Sequence, residues 1–215
     1  MQSDVWRLLS QMKSPAQPFV TVIDQGVIGS GRIELSGTTL INGASKAANG
    51  FVDILDVEPG QSAQISLGWT WQQSVWQAAA WMAGMEVARA LDEQCDVVID
   101  TSRISTHPLG MPQPDAGPSD LTAEVLGQPD AWLYPSFHAE QAGLIDSALH
   151  WAHERGITHG DRVGVETDDA SNLSDAHFYL PLLVPLVVGG SVVFAPRVSA
   201  QLQEQERITR VLPAK

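Results

Sequence analysis

Strand-like and helix-like segments alternate along this chain, and that alternation constrains its fold more than any single motif. Short runs such as QSAQISLG, DRVGVET and SVVFAPR are rich in aliphatic and β-branched residues, as buried strands are. Strands separated by helices usually form mainly parallel sheets that carry helices on both faces. The sequence therefore predicts an α/β fold of this kind, with a small hairpin at the start made of PFVTVID and GRIELSG.

The helices are predicted from the spacing of their apolar residues. In TTLINGASKAANGFVDIL, apolar side chains recur on one helical face, at Leu40, Ala44, Ala47, Phe51 and Leu55. The run WQQSVWQAAAWMAG has tryptophans outside its main apolar face, which predicts that more than one side of this helix is covered.

A segment rich in proline and glycine, residues 103–130, divides the chain. It is expected to be a linker or surface loop between a first βαβ half, residues 1–102, and a second, residues 131–215, within one compact domain. The second half is predicted to contain a strand at AWLYPSF, a helix at Ala139–Arg155 and another helix around Asp175–Val188. A polar tail is expected to close it.

Charge and composition exclude several classes of protein. The formal net charge is -13, from 25 acidic and 12 basic residues, so nucleic acid and anionic membranes are not expected partners. The longest apolar stretch, Phe178–Ala195, is interrupted by prolines and glycines and is not predicted to span a membrane. No signal peptide is recognised, and a single cysteine, Cys95, fits a reducing cytoplasm.

Two longer stretches carry a resemblance to a known family. LDVEPGQSAQISLGWTWQQSVWQAAAWMAGMEVA resembles the N-terminal part of the AMP-binding, adenylate-forming superfamily, which includes acyl-CoA synthetases and luciferases. GITHGDRVGVETDD and AHFYLPLLVPLVVGGSVVFAPR are similar to its following elements, so the resemblance covers most of residues 32 to 197. It implies a fold like the N-terminal domain of acyl-CoA synthetases, in a truncated form similar to short actinobacterial proteins of unknown function.

The resemblance does not extend to the phosphate-binding loop of that superfamily. Its members bind ATP with a Ser/Thr/Gly-rich loop that ends in lysine, whereas the corresponding segment here is Tyr134–Glu140. Pro135 lacks an amide N–H, and Glu140 would repel a phosphate. The later Tyr-Gly-x-Thr-Glu segment and the C-terminal domain with its catalytic lysine are not found. We therefore expect no adenylation chemistry and no bound cofactor.

Four residues are candidates for binding a small ligand. Ser136 and His138 lie in the segment that corresponds to the phosphate loop, although Ser136 is also explained as the N-cap of the next helix. His177 and Phe178 correspond, in reversed order, to an aromatic–His pair that many acyl-CoA synthetases carry near the substrate pocket.

A second candidate site is a metal site at Asp168, Asp169 and His177. Carboxylates and an imidazole after a strand can bind a divalent cation. Loop acids followed by a helix cap explain the same residues without a metal.

Three hypotheses for the function remain open. The first is a catalytically inactive relative of AMP-binding enzymes that binds a small acyl or nucleotide-like ligand or a protein partner. The second is an enzyme with altered chemistry, either residual acyl or nucleotide handling or metal-assisted hydrolysis at the Asp168, Asp169 and His177 cluster. The third is a homo-oligomer or complex subunit in which the tryptophan-rich helix forms part of the interface.

Overall fold

A computed structural model of the chain describes residues 4–23, 31–89, 94–107, 109–112, 120–136, 138–167 and 175–213. The elements within these residues are, in chain order, α1 (Val5–Ser10), β1 (Pro18–Ile23), β2 (Arg32–Ser36), α2 (Gly37–Asp53), β3 (Ser62–Ser66), α3 (Trp71–Met82), β4 (Glu86–Val87), β5 (Val97–Asp100), α4 (Thr122–Leu126), a 3-10 turn (Ala139–Gln141), α5 (Ala142–Glu154), β6 (Arg162–Glu166), α6 (Asp175–Tyr179), α7 (Leu183–Val188), β7 (Ser191–Ala195), α8 (Ala200–Glu206) and β8 (Arg210–Pro213).

The strands form two mostly parallel sheets. The larger sheet has the order β2-β1-β7-β6-β8, and the smaller has the order β4-β3-β5. Among the described strands, only β1 and β2 pair antiparallel, as the predicted hairpin requires, and the turn between them lies outside the described residues. The larger sheet takes β1 and β2 from before the 103–130 segment and its other strands from after it. The predicted fold class, α/β with mainly parallel strands and packed helices, is confirmed.

Helix α3 lies at the centre of the molecule. Every residue from Gln72 to Met82 is buried, and the helix packs against α1, α2 and strands β1, β3 and β4. The ring of Trp76 meets that of Phe51 on α2 edge-on, with ring centroids 5.2 Å apart. Gln73 is tolerated in this interior because its side chain accepts from the Leu67 amide and donates to the Ile65 carbonyl.

The predicted strand at AWLYPSF is wrong. Its described residues form an irregular segment, and side chains of α2 bond backbone groups at its start and in the residues just before it. The buried Asn49 donates through Nδ2 to the carbonyls of Pro129 and Ala131 and accepts from the Leu133 amide. Lys46, three residues earlier on the same face, donates to the carbonyls of Leu126 and Gln128. These side-chain hydrogen bonds satisfy backbone groups that would otherwise pair with a neighbouring strand.

The C-terminal segment is also more ordered than a polar tail. It forms α8 and β8, and β8 pairs parallel with β6 at the edge of the larger sheet. The Glu206 carboxylate bonds the guanidinium groups of Arg32 and Arg162. Arg162 donates in addition to the hydroxyl oxygens of Ser191 and Thr21. This network ties α8 to the face of the sheet.

The helix predicted around Asp175–Val188 is divided into α6 and α7. The division falls at Leu180–Leu182, where Pro181 has no amide hydrogen to continue the helical hydrogen bonds. Helix α7 ends at Gly189, whose φ of 62° is the left-handed conformation that favours glycine.

Candidate functional site

The segment that the resemblance matches to a phosphate loop, Tyr134–Glu140, is hydrogen-bonded to the N-terminus of α1. The Asp4 carboxylate caps α1, since Oδ1 accepts from the Arg7 amide at 2.7 Å. Its other oxygen, Oδ2, accepts from the His138 amide at 3.0 Å, and both Asp4 and His138 are buried. A side-chain anion of the chain itself therefore occupies the hydrogen-bonding position that a phosphate would need at this amide.

The side chains of this segment are also engaged. The Ser136 hydroxyl lies 2.8 Å from Nε2 of His138, and Nδ1 of the same ring lies 3.2 Å from the Glu140 carboxylate. The ring packs against Gly84, where an added Cβ atom would clash with its Cε1. The regular helix does not begin at Ser136, because a 3-10 turn at Ala139–Gln141 leads into α5. The N-cap role considered for Ser136 is therefore wrong.

Gln141 fixes the same segment from its other end. Its Oε1 accepts from the Val5 amide at 3.0 Å, and its Nε2 donates to the Trp81 carbonyl at 2.7 Å. Asp4 and Gln141 together join the segment to the N-terminus of α1 and to the C-terminal end of α3. We call this hydrogen-bonded segment the His138 junction, and the ligand-binding role of Ser136 and His138 stays a prediction.

We expect replacement of Asp4 by alanine to lower the free energy of unfolding by about 2 to 3 kcal/mol. The change removes a helix N-cap and leaves the buried amide of His138 without an acceptor. Urea unfolding followed by circular dichroism measures the loss. Asp146→Ala, on an exposed position of α5, is the matched carboxylate control and should change stability by less than about 0.5 kcal/mol. An equal effect of the two substitutions would contradict the role given to Asp4.

His177 lies in the interior, 4% exposed, with its ring edge-on to Trp69 at 4.9 Å between centroids. Burial lowers its pKa to about 4, against the opposing effect of a hydrogen bond to the Gly68 backbone. The imidazole is therefore neutral at pH 7. Its position beside the Gly68–Trp69 turn places it beyond the carboxyl end of β3, the edge at which α/β proteins usually bind ligands.

Phe178 faces a different set of side chains. Its ring meets Trp81 and Tyr179 edge-on, and the guanidinium of Arg89 lies 4.7 Å from its centroid. The Gln77 amide, 3.4 Å from the carbonyls of both His177 and Phe178, holds α6 along the middle of α3.

The four predicted ligand-binding residues do not meet in one place. His138 packs on Gly84, just beyond the C-terminal end of α3, whereas His177 packs on Trp69, just before its N-terminal end. The 12 residues between them span about 18 Å. Phe178 lies between these two positions.

The proposed metal site stays a prediction. Asp168 and Asp169 lie outside the described residues. Over the parts of the chain that are described, no three His, Cys, Asp or Glu side chains group closely enough to hold a metal ion. Glu166, at the end of the preceding strand, accepts a hydrogen bond from the Val198 amide and serves a structural role.

A cleft of about 800 Å³ lies elsewhere, at the amino ends of β1, β6 and β7. Sequence reasoning missed it, because its walls come from five separate parts of the chain and no local motif marks them. The only signal available in advance was the scarcity of basic residues, a third of which line this one cleft.

No protein-family model matches the chain, and no curated protein matches it either. Solved structures do match, over nearly the whole chain. An acyl-CoA synthetase from Brucella canis aligns with 98% of the chain at a TM-score of 0.72 and 12% identity, and the alignment covers 47% of that protein. Apo MatB from Rhodopseudomonas palustris aligns with 98% of the chain at a TM-score of 0.64 and 15% identity, covering 49% of MatB.

A match to an isolated domain shows which part of such proteins is shared. The inhibitor-bound N-terminal domain of FACL13 from Mycobacterium tuberculosis aligns with 98% of the chain at a TM-score of 0.66 and 13% identity, and 62% of that domain is covered. The chain thus spans about half the length of the two longer proteins. Among its described residues, no helix is long and apolar enough to cross a bilayer.

Proposed function

We propose that this chain, which has the N-terminal-half fold of the AMP-binding, adenylate-forming superfamily, is a binding module that does not adenylate carboxylates. The observation that carries the proposal is the hydrogen bond from the His138 amide to the Asp4 carboxylate at 3.0 Å. It lies in the segment that corresponds to the ATP phosphate loop.

A phosphate loop works by converging free backbone amides and a cation on phosphate oxygens. Each requirement is opposed here. Pro135 has no amide hydrogen, and the amide of His138 is already donated to an anion. The nearest charged side chain of the segment is the carboxylate of Glu140, and a second negative group would be repelled by it. Binding of ATP at this junction would require breaking contacts that hold α1 in place.

The retained scaffold supports a binding role for the protein. Helix α3 is buried along its length and the fold aligns with an acyl-CoA synthetase over 98% of the chain, which supports a role that depends on the architecture. A small acyl or nucleotide-like ligand, or a protein partner including a second copy of the chain, is the class of occupant that we propose. We propose the cytoplasm as its compartment, since the chain holds a single cysteine.

We expect the purified protein to release no pyrophosphate and form no AMP from ATP and Mg²⁺, with or without added carboxylates. The carboxylates to be tested are a series of straight-chain fatty acids, aromatic acids and amino acids. An intact acyl-CoA synthetase assayed in parallel is the positive control. The physical reason for the expected result is the occupied amide and the acidic surroundings of the junction.

Carboxylate-dependent pyrophosphate release that is abolished by Ser136→Ala or His138→Ala would overturn the proposal. Release that survives both substitutions would also count against it if it co-purifies with the protein through two unrelated chromatographic steps. The absence of release under all these conditions, with an active control, supports it.

A further inference from the structure

A cleft of about 800 Å³ opens at the amino ends of β1, β6 and β7. It is bounded by the end of α1, by β2, by the turn before β6, by the turn between α7 and β7, and by the end of α8. This is the opposite edge of the larger sheet from the carboxyl ends of its parallel strands. Neither the residues of the His138 junction nor His177 line the cleft, which is therefore a separate site.

The cleft concentrates positive charge in an otherwise acidic protein. Four of the 12 Lys and Arg residues line it, although the chain carries a net charge of -13. The two carboxylates of its lining are already neutralised, since Glu206 pairs with Arg32 and Arg162, and Glu34 pairs with Arg32.

Two cations of the cleft remain uncompensated. Lys13 and Arg207 are both exposed and both line the cleft. No ion pair or side-chain hydrogen bond joins either of them to another of the residues that the structure describes. The cleft thus offers two charged groups without a counterion, which is the condition for attracting an anion.

The remaining lining is partly apolar. Leu8, Met12 and Val187 line the cleft and are only half-buried, so apolar surface is left in contact with water. The side chains of Phe19 and Leu186, which are buried, complete this wall. A ligand that covers it would gain about 25 cal/mol for each Å² of apolar surface removed from water.

We propose that the cleft binds a small amphipathic anion, in which a carboxylate or phosphate group meets Lys13 and Arg207 and a short hydrocarbon part covers the apolar wall. The cavity is large enough for a ligand of this class, since small-molecule sites usually measure about 300 to 1,000 Å³. The site goes beyond the binding role proposed above, because it does not use the junction on which that role depends.

Helix ends offer a competing explanation for the two cations. Arg207 is the C-cap of α8, and Lys13 follows the end of α1, where helix dipoles attract positive charge. These helices are only six and seven residues long, and their last carbonyls already accept backbone amides. The helix dipoles therefore do not neutralise the charges of Lys13 and Arg207. Helix capping and anion binding also predict different effects of substituting these residues.

The test is isothermal titration of the whole chain with octanoate and with octyl phosphate at low salt. We expect both to bind, whereas 1-octanol and octylamine should not, because binding requires the anionic group. Lys13→Gln and Arg207→Asn should each weaken binding about fivefold, and the double variant about 25-fold. Asparagine is chosen at position 207 because it tolerates the left-handed backbone there, φ 54°.

Arg155→Gln is the matched control, since it removes one exposed positive charge outside the cleft and should change affinity less than twofold. A difference between octanoate and octyl phosphate would identify the preferred anionic group. The absence of binding by the unaltered chain, or equal affinity of the double variant, would overturn the proposal. So would a loss of stability in the double variant without a loss of binding, which is the result that a purely helix-capping role predicts. The titration contains no nucleotide, so a failure to bind octanoate or octyl phosphate would leave the adenylation test unaffected.

Discussion

Replacement of Glu206 by alanine is expected to lower the free energy of unfolding by about 3 kcal/mol. The Glu206 side chain is 9% exposed and that of Arg162 is 14% exposed, so the pair lies largely out of water. Removal of the carboxylate would leave the Arg162 guanidinium in the same place without its counterion, and breaking a buried pair from one side costs about 3 to 5 kcal/mol. The lower end applies because Arg162 keeps its bonds to Ser191 and Thr21.

Urea unfolding at pH 7 measures this effect. Glu204→Ala is the matched control, because Glu204 is exposed on the same helix and makes no ion pair with another described residue. The control should change stability by less than about 0.5 kcal/mol. If Glu206→Ala were as mild as the control, the network would not be what holds α8 and β8 on the larger sheet.

The same network predicts a dependence of stability on pH. The hydrogen bond from Arg32, opposed by partial burial and helped by the bond from Arg162, holds the pKa of Glu206 below its ordinary value of 4.5. Because the folded-state pKa lies below the unfolded one, the stabilisation is complete above pH 4.5. It is lost as the pH falls through the folded-state value. Glu206→Gln should therefore lose less stability on acidification than the unaltered chain does.

Replacement of Asn49 by alanine is also expected to lower the free energy of unfolding by about 3 kcal/mol. Asn49 is fully buried and makes three hydrogen bonds to the backbone of the segment at Pro129, Ala131 and Leu133. Its loss removes a donor from two carbonyls and the acceptor of one amide, and each partly buried group left unpaired costs about 1 kcal/mol or more.

Asn49→Asp sharpens this prediction. Aspartate has nearly the same shape and can still accept from the Leu133 amide, but it offers an oxygen where two carbonyls need a donor. The aspartate variant should therefore be at least as unstable as the alanine variant at pH 7. Asn42→Ala, exposed on the same helix, is the control and should be nearly neutral. An aspartate variant as stable as the unaltered chain would show that the amide is not what anchors this segment.

The spacing of apolar residues was sufficient to predict an element wherever those same residues form its buried face. Of the five residues predicted to share a face of α2, Leu40, Ala44, Ala47 and Phe51 are buried, whereas Leu55 lies beyond the end of the helix and is half-buried. Strand β3 is buried at its three central residues, as the run QSAQISLG indicated. In these segments the spacing of apolar side chains and the burial of the backbone agree, so the sequence alone predicts both the element and its buried face.

The segments that were predicted wrongly take their structure from contacts with residues distant in sequence. AWLYPSF has the composition of a strand, but Asn49, more than 80 residues earlier, bonds the Ala131 carbonyl and the Leu133 amide within it. The predicted polar tail joins the larger sheet because β8 pairs with β6, and Glu206 bonds Arg32, 174 residues away in sequence. Neither partner can be identified from a local window, since both contacts depend on how the chain returns in space.

For the candidate sites, too, some features follow from the sequence and others only from the tertiary structure. The departure from the phosphate-loop pattern follows from the sequence itself, because Pro135 lacks an amide hydrogen and the segment contains no lysine. Only the tertiary structure decided that the amide of His138 donates to the Asp4 carboxylate, 134 residues away in sequence. The cleft lined by Lys13 and Arg207 likewise exists only after folding, since these two residues are far apart in sequence and come to line one cleft when the amino ends of three strands meet.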